Sequence, residues 1–335
     1  GSEMCIRDRD KKLTPYLDSL YQQSLSFSHF YSSGIHTNHG IYSTLYSFPA
    51  IMKRNAMKGS VIPVYSGLPT VLQENGYCNL FFMTHESQYD NMNAFLRTNG
   101  FDEIYAQENY PSEKVVNSFG VQDDFMYQYA LPILNERAGT GNPFFSVLLS
   151  ISNHPPYVIP PYFHPHSDVL EEQIVEYADW SIRQFMQAAE KQPWFDNTIF
   201  VFLGDHGKMV GTPECEMPQS YNHIPLMIYG KDIKPGVYDG FGGQVDVSPT
   251  LLGLLNISYL QNNFGVNLLE EERPCMFFTA DNLIGARDSV NMFIYSPDSQ
   301  QEFKYKLEEG KLRAATGTDE EAFRNLKDYC FSMLQ

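Results

Sequence analysis

The feature that most limits what this chain can fold into is Thr198-Ile199-Phe200-Val201-Phe202-Leu203-Gly204-Asp205-His206-Gly207, an apolar run that breaks off on an acid, an imidazole and a glycine. Residues rich in β-branched and aromatic side chains suit a strand covered on both faces, as in a parallel sheet. Open α/β sheets bind ligands beyond the carboxyl ends of their strands, where Asp205 and His206 would project. The ordinary alternative is an Asp that caps the next helix beside a surface His, and for an isolated Asp-His-Gly it is the commoner one.

The same pattern recurs along the chain. Apolar runs predict strands over 79–84, 144–151, 198–203, Leu226–Tyr229 and Met276–Thr279. Helical periodicity predicts helices over 14–24, 68–75, 91–99, 123–136, 170–191 and 248–255. This alternation is the α/β class, with a mostly parallel central sheet flanked by helices. Pro155-Pro156 and Pro160-Pro161 mark a loop leaving the strand at 144–151 rather than a linker. After Arg287 come short hydrophobic pieces at 291–295 and 303–307, a turn at Glu309-Gly310 and a final helix from Glu320, which predict a small C-terminal antiparallel subdomain. Gly1-Ser2 resembles a tag scar, and the charged stretch from Cys5 to Lys12 has no strand or helix period. The expected division is a leader over 1–12, a catalytic domain over 13–287 and an α+β subdomain over 288–335.

With 335 residues, 43% of them hydrophobic, the chain can bury a large core. No run reaches the length of a membrane span and no signal peptide is visible, so the chain as given is expected to be soluble. Net charge is −17, from 40 acids and 23 bases, with no block of lysines and arginines. This balance disfavours nucleic acid and anionic membrane surfaces as electrostatic partners, and a phosphate or sulfate site would benefit from a cation. Five cysteines without a CxxC exclude a zinc ribbon.

Several polar clusters fall at expected strand ends or helix starts. In Gly34-Ile35-His36-Thr37-Asn38-His39-Gly40-Ile41-Tyr42-Ser43-Thr44-Leu45 a Gly-flanked turn leads into a helix. Thr37 would stand there among free backbone N–H groups, a good place for a phosphoryl group. A plain N-cap threonine is the commoner reading of such a residue. Ser150-Ile151-Ser152-Asn153-His154-Pro155-Pro156-Tyr157 presents His154 beyond another strand, an active-site candidate set against a solvated loop histidine. Tyr221-Asn222-His223-Ile224-Pro225-Leu226 puts His223 just before a strand, where a structural histidine is an even alternative.

Together these clusters resemble the alkaline phosphatase superfamily, in its lipoteichoic acid synthase and phosphoglycerol transferase branch often labelled "sulfatase". The resemblance runs from about Leu13 to Leu255. Its further markers are Leu13-Thr14-Pro15-Tyr16-Leu17-Asp18-Ser19-Leu20, Ser47-Phe48-Pro49, Phe95-Leu96-Arg97 with Gly100-Phe101, Glu176-Tyr177-Ala178-Asp179-Trp180, Trp194-Phe195-Asp196-Asn197-Thr198 and Asp246-Val247-Ser248-Pro249-Thr250-Leu251-Leu252. It implies that Thr37 is the nucleophile and a metal contact, that Asp205 and His206 are metal ligands, and that His154 stabilises or protonates a substrate oxygen. His223 would be a further substrate or metal contact. One divalent cation is implied, Mn²⁺ or Mg²⁺ by family habit, with Zn²⁺ also suited to an oxygen and imidazole set. A threonine hydroxyl is a poor nucleophile until such a cation lowers its pKa.

The pattern also departs from the family. Its remaining metal carboxylate ends a first strand well upstream of the Thr-Pro segment. Only about a dozen residues precede that segment here, and Glu3, Asp8 and Asp10 lack a strand context, so this strand and carboxylate are expected to be missing. In His85-Glu86-Ser87-Gln88-Tyr89-Asp90-Asn91-Met92 the arginine and tryptophan that lipoteichoic acid synthases bring to glycerol phosphate are absent. His85, Glu86 and Asp90 would offer a more acidic, hydrogen-bonding substrate pocket instead.

The leading reading is a metal-dependent phosphoryl or phosphoglycerol transferase or phosphodiesterase working through phospho-Thr37. Its substrate would be a phosphate ester such as a lipid head group or envelope polymer. By resemblance the full-length protein would work on the extracytoplasmic face of a bacterial membrane, held there only by upstream segments absent from this chain. A sulfate-ester hydrolase is the enzymatic alternative, weakened because no C/S-x-P-x-R motif for formylglycine stands at Thr37. A non-catalytic binder of a glycan or anionic polymer is the third reading. Its support is the missing carboxylate and 14% aromatic residues, although 24 Phe and 22 Tyr against two Trp suit a core better than sugar platforms.

Overall fold

The computed structural model describes residues 12–308, 310–315 and 320–334. The leader acids Glu3, Asp8 and Asp10, and Glu309 of the expected turn, lie outside them. The described chain falls into two compact units. One takes in residues up to Leu25 with Met57–Val201 and Met227–Gly236; the other takes in Ser26–Ala56, Phe202–Leu226 and the chain from Val237 onward.

In the first unit, helix α1 (Pro15–Gln23) opens on a proline, whose missing N–H costs nothing at a helix start. Thr14 precedes it without a side-chain cap. Two of the helix's orphan donors, the N–H groups of Tyr16 and Leu17, go instead to the Asp179 carboxylate at 3.0 and 2.8 Å. Strand β2 (Cys78–Met83) stands at the centre of a parallel sheet, between β3 (Glu103–Tyr105) and β6 (Phe144–Leu149). Leu80, Phe81, Phe82 and Met83 are fully buried, each contributing about 1.5–3 kcal/mol through removal from water. Helix α2 (Thr37–Tyr46) belongs to the other unit, and the first continues with α3 (Leu68–Glu74) and α4 (Met92–Thr98). A short hairpin, β4 (Val115–Asn117) and β5 (Gly120–Val121), then leads into α5 (Asp123–Ala138). Helix α6 (Leu170–Ala189) packs against both α5 and α1 and carries Asp179.

A four-stranded sheet has the order β7-β8-β1-β9, from β1 (Leu25–Tyr31), β7 (Phe200–Leu203), β8 (Leu226–Tyr229) and β9 (Gly236–Gly243). The strand predicted over 198–203 is therefore present but shorter. It is also half-buried along its length, where cover on both faces was expected. Its place at an end of its sheet accounts for this, and β6, at an end of its own sheet, is half-buried in the same way. The β6 strand stops at Leu149 instead of 151 because the next backbone donors leave the ladder for a side chain, described below.

The second unit further contains α7 (Gln219–Asn222), α8 (Val247–Leu254) and a five-stranded antiparallel sheet. The sheet runs in sequence order through β10 (Met276–Thr279), β11 (Ile284–Arg287), β12 (Asn291–Ser296), β13 (Gln301–Glu308) and β14 (Lys311–Ala314). The expected C-terminal antiparallel element is thus present. It begins at Met276, so β10 and β11 join it from upstream of residue 288. Side-chain alternation divides its core, with Cys275 and Phe277 facing one cluster and Met276 and Phe278 the other. Helix α9 (Glu320–Ser332) covers the first of these with Phe323, Leu326 and Cys330, spaced three and four apart on one face.

Burial pushes the Asp179 carboxyl up to about 6 from 3.8, despite the two N–H groups it accepts. A folded pKa above the unfolded one means that ionisation costs more in the folded state. This contribution to stability is full below about pH 3.8 and lost as pH rises through 6. Asp179→Asn is expected to flatten the dependence of unfolding free energy on pH between 4 and 6.5, by on the order of 2–3 kcal/mol over that span. Urea titrations at several pH values measure it; parallel curves for both proteins would refute the assignment.

Candidate active site

Strand β7 ends at Leu203, and Asp205 and His206 follow at once. No helix begins behind them, since the next one along the chain is α7 at Gln219, so the helix-cap reading of Asp205 does not hold. The backbone of Asp205 is held from outside. Buried Gln244 donates through Nε2 to the carbonyls of Gly204 and Asp205 at 3.1 and 2.7 Å, and its Oε1 accepts the N–H of Ser33 at 3.0 Å. One amide thus ties the turn before Thr37 to the turn carrying Asp205.

Thr37 is the first residue of α2, and His36 occupies the N-cap with extended backbone. The Thr37 hydroxyl does not cap its own helix. It donates to Oδ2 of Asp205 at 2.7 Å, across 168 residues of chain. The helix start around it leaves backbone N–H groups and the positive end of the helix dipole for an anion. Close approach is possible because Gly40 lacks a side chain: a Cβ there would lie 2.5 Å from the Asp205 carbonyl oxygen. Gly40→Ala must push α2 away from Asp205. It is expected to lower turnover roughly ten- to a hundredfold while costing about 1–3 kcal/mol of stability, read by kinetics and thermal melts on the same protein. Wild-type turnover in the alanine variant would show that this spacing is unimportant.

His206 has its ring nitrogens sorted by their surroundings. Nδ1 lies 2.7 Å from the carbonyl of Gly207, which can only accept, so Nδ1 carries the proton. Nε2 then faces Oδ2 of Asp205 at 3.5 Å. A backbone carbonyl behind the ring is the usual support of a metal-ligating histidine, and it leaves Nε2 on the side of Asp205. Thr37, Asp205 and His206 therefore fit a divalent cation as a partial ligand set. Among the described residues no group of three or more His, Cys, Asp or Glu side chains is placed to hold a metal ion.

Around this centre lie residues that sequence reasoning passed over. His36 pairs through Nε2 with Asp281, in the turn after β10, at 2.5 Å, and both are half-exposed. His39 is buried edge-on to His36, with Nε2 on the Arg54 carbonyl and Nδ1 without a partner. Burial, reinforced by His36, lowers its pKa to about 4, so it is neutral. His36 and His39 sit inside the Thr37 motif and could have been picked from it. Gln244 carries no such signal.

His223 lies in the same unit. Its ring is buried, stacked on Tyr31 at 4.9 Å, and its Nε2–H donates to the Ser28 carbonyl at 2.9 Å. Packing and this bond account for a histidine there without a ligand. The other predicted residues belong to the first unit. His85 is buried at the end of β2 with Nδ1–H on the Glu86 carbonyl, and burial lowers its pKa. Glu86 is exposed, and Asp90 is paired with Lys58 at 2.7 Å, so the expected acidic character of this segment is partly neutralised. His154 is exposed beyond the end of β6.

The Sulfatase family model matches residues 4–257, a span that also takes in residues set apart above as leader. Among curated proteins, the lipoteichoic acid synthase-like YvgJ of Bacillus subtilis (strain 168) is 25% identical over 297 residues, covering 78% of this chain and 47% of that protein. The chain thus spans about half the length of the curated relatives it matches. Among solved structures, a protein in the alkaline phosphatase superfamily from Vibrio parahaemolyticus superposes with a TM-score of 0.87 at 27% identity, over 96% of this chain and 80% of that one. The lipoteichoic acid synthase LtaP from Listeria monocytogenes shares the fold, with a TM-score of 0.80 at 22% identity over 96% and 86% of the two chains.

Proposed function

We propose, because this chain belongs to the sulfatase family, that it transfers or hydrolyses a phosphate ester with Thr37 as its nucleophile. The observation that carries this reading is the Thr37 hydroxyl at the start of α2, donating to Asp205 beside His206, whose Nε2 lies 3.5 Å from the same carboxylate oxygen. In the first step the Thr37 oxygen forms a bond to phosphorus as the bond to the leaving alcohol oxygen breaks. The hydroxyl proton has an acceptor in Asp205, and the departing alkoxide takes up a proton that we assign to His154 on its motif. Water or an acceptor alcohol then attacks phospho-Thr37: its oxygen bonds to phosphorus as the Thr37 O–P bond breaks, its proton returns to His154, and the Thr37 oxygen recovers the proton held by Asp205. Thr37, Asp205 and His206 would hold the divalent cation, Mn²⁺ or Mg²⁺. When bound, it would offset charge on the transferring group and favour the threonine alkoxide. His223 is proposed as a substrate contact on the resemblance, and His85, Glu86 and Asp90 because they stand in the segment where the family's arginine and tryptophan are absent.

The substrate class we infer is a lipid head group or envelope polymer bearing a phosphate ester, met on the extracytoplasmic side of a bacterial membrane. Similarity to lipoteichoic acid synthases supports the envelope-polymer part of this reading. No helix among the described residues is long and apolar enough to cross a membrane.

Side-by-side rates on aryl phosphate mono- and diesters and on aryl sulfate test the reaction class. Turnover is expected on a phosphate ester, lost in EDTA and restored by Mn²⁺ or Mg²⁺, with aryl sulfate slower. A marked preference for sulfate would overturn the proposal.

A further inference from the structure

The loop that leaves β6 holds His154 more firmly than an exposed side chain needs. Its Nδ1 lies 2.7 Å from the Pro155 carbonyl, so Nδ1 carries the proton and Nε2 is the atom free to exchange one. The ring rests on Phe119, with centroids 4.1 Å apart. Phe119 sits in the turn between β4 and β5, where its N–H is taken by Asn117 Oδ1 at 2.8 Å. The same Asn117 donates to the Pro156 carbonyl at 3.1 Å, and Gln122 donates to the Val158 carbonyl at 3.1 Å.

One side of this arrangement is anchored at the end of a sheet strand and the other at the start of helix α5. Val121 N–H reaches the Thr84 carbonyl at the end of β2 at 3.2 Å. Gly120, at φ +91°, approaches so closely that a Cβ would fall 1.7 Å from the Thr84 oxygen. On the other side, buried Asp123, the first residue of α5, accepts the N–H groups of Ile151 and Ser152 at 2.9 and 3.2 Å. His154 N–H closes the turn on the Ile151 carbonyl at 2.9 Å. Fixing an exposed side chain costs conformational entropy without gaining burial. What it provides is a fixed ring orientation and a fixed tautomer, the conditions for efficient proton transfer.

We propose that the β4–β5 hairpin, through Phe119 and Asn117, together with Asp123, is a clamp that positions the His154 imidazole and presents its Nε2 to the substrate. Phe119, Asn117 and Asp123 are positioning residues in this account, which rests on the reading of His154 as a substrate contact.

The test uses Phe119→Leu and Asn117→Ala, made separately in the full chain, with Asp123→Asn added if its thermal melt shows it folded. Nitrogen-15 NMR of the His154 ring is expected to show the Nδ1–H tautomer in the wild type and a mixture in the variants. Their kcat on an aryl phosphate should fall about tenfold with KM within about twofold, and the pH profile of kcat should shift. Unchanged ring shifts in both leucine and alanine variants overturn the clamp, whatever happens to kcat; so does altered tautomerism with an unchanged kcat and pH profile. The NMR reading needs no turnover, so it decides the clamp even if Thr37→Ala shows that the proposed reaction itself is wrong.

Discussion

Thr37→Ala is expected to reduce turnover of an aryl phosphate by at least about 10⁴-fold, because it removes the hydroxyl that would carry the covalent intermediate. Stability should change by only about 1–3 kcal/mol, the range for a hydrogen bond to a charged acceptor. Thr37→Ser keeps a hydroxyl that can donate to Asp205 and should retain most of the activity. The pair of variants separates loss of the nucleophile from disturbance of the helix start. Turnover within tenfold of wild type in the alanine variant would remove Thr37 from the mechanism.

The largest effect on stability is expected at Arg273. Its guanidinium meets the buried carboxylate of Asp246 in several hydrogen bonds, from Nε at 2.8 and 2.7 Å and from Nη2 at 2.6 Å. Asp246 also accepts the N–H groups of Gly243 and Val266, so every lone pair of a group with no solvent contact is used. Burial nevertheless pushes its pKa up, with Arg273 opposing the shift. Arg273→Met would leave that carboxylate buried without its cation, at a cost of about 3–5 kcal/mol. Because Gln244 lies two residues before Asp246 and holds the Asp205 backbone, the catalytic turn should loosen as well. Denaturant unfolding and residual turnover of the same variant measure the two effects; a loss below about 1 kcal/mol would mean that the pair contributes little.

The elements that announced themselves in the sequence were those whose local pattern agreed with their final environment. The run ending at Leu203 stops on Asp205 and His206, and the motif around Thr37 opens a helix where a Gly-flanked turn said it should. That they belong together was legible only through the family resemblance, since the Thr37 to Asp205 bond links residues 168 apart and local pattern carries no such information. Strand β1 escaped notice because Leu25-Ser26-Phe27-Ser28-His29-Phe30-Tyr31 interleaves small polar residues with its aromatics, although Ser26 is fully buried. Strand β9 has glycine at four of its eight positions, a composition that argues against a strand until neighbouring strands override it. Half-burial of β7 depended on its place at an end of a sheet, which follows from topology. Gln244 and Arg273 act at a distance through single side chains, and nothing near them in the chain marks either one.

The cap on α1 has a consequence for biosynthesis. Nine residues are too few for a helix to persist alone in water, and the carboxylate that completes this one lies 163 positions from Tyr16. At synthesis rates of about 5–20 residues per second, the segment waits roughly 10–30 s before Asp179 is made. During that interval Leu17 and Leu20, buried in the finished protein, are exposed on the nascent chain and open to a chaperone. The helix that leaves the ribosome before any other described helix can therefore acquire its cap only after the 163 positions from Tyr16 to Asp179 have been translated.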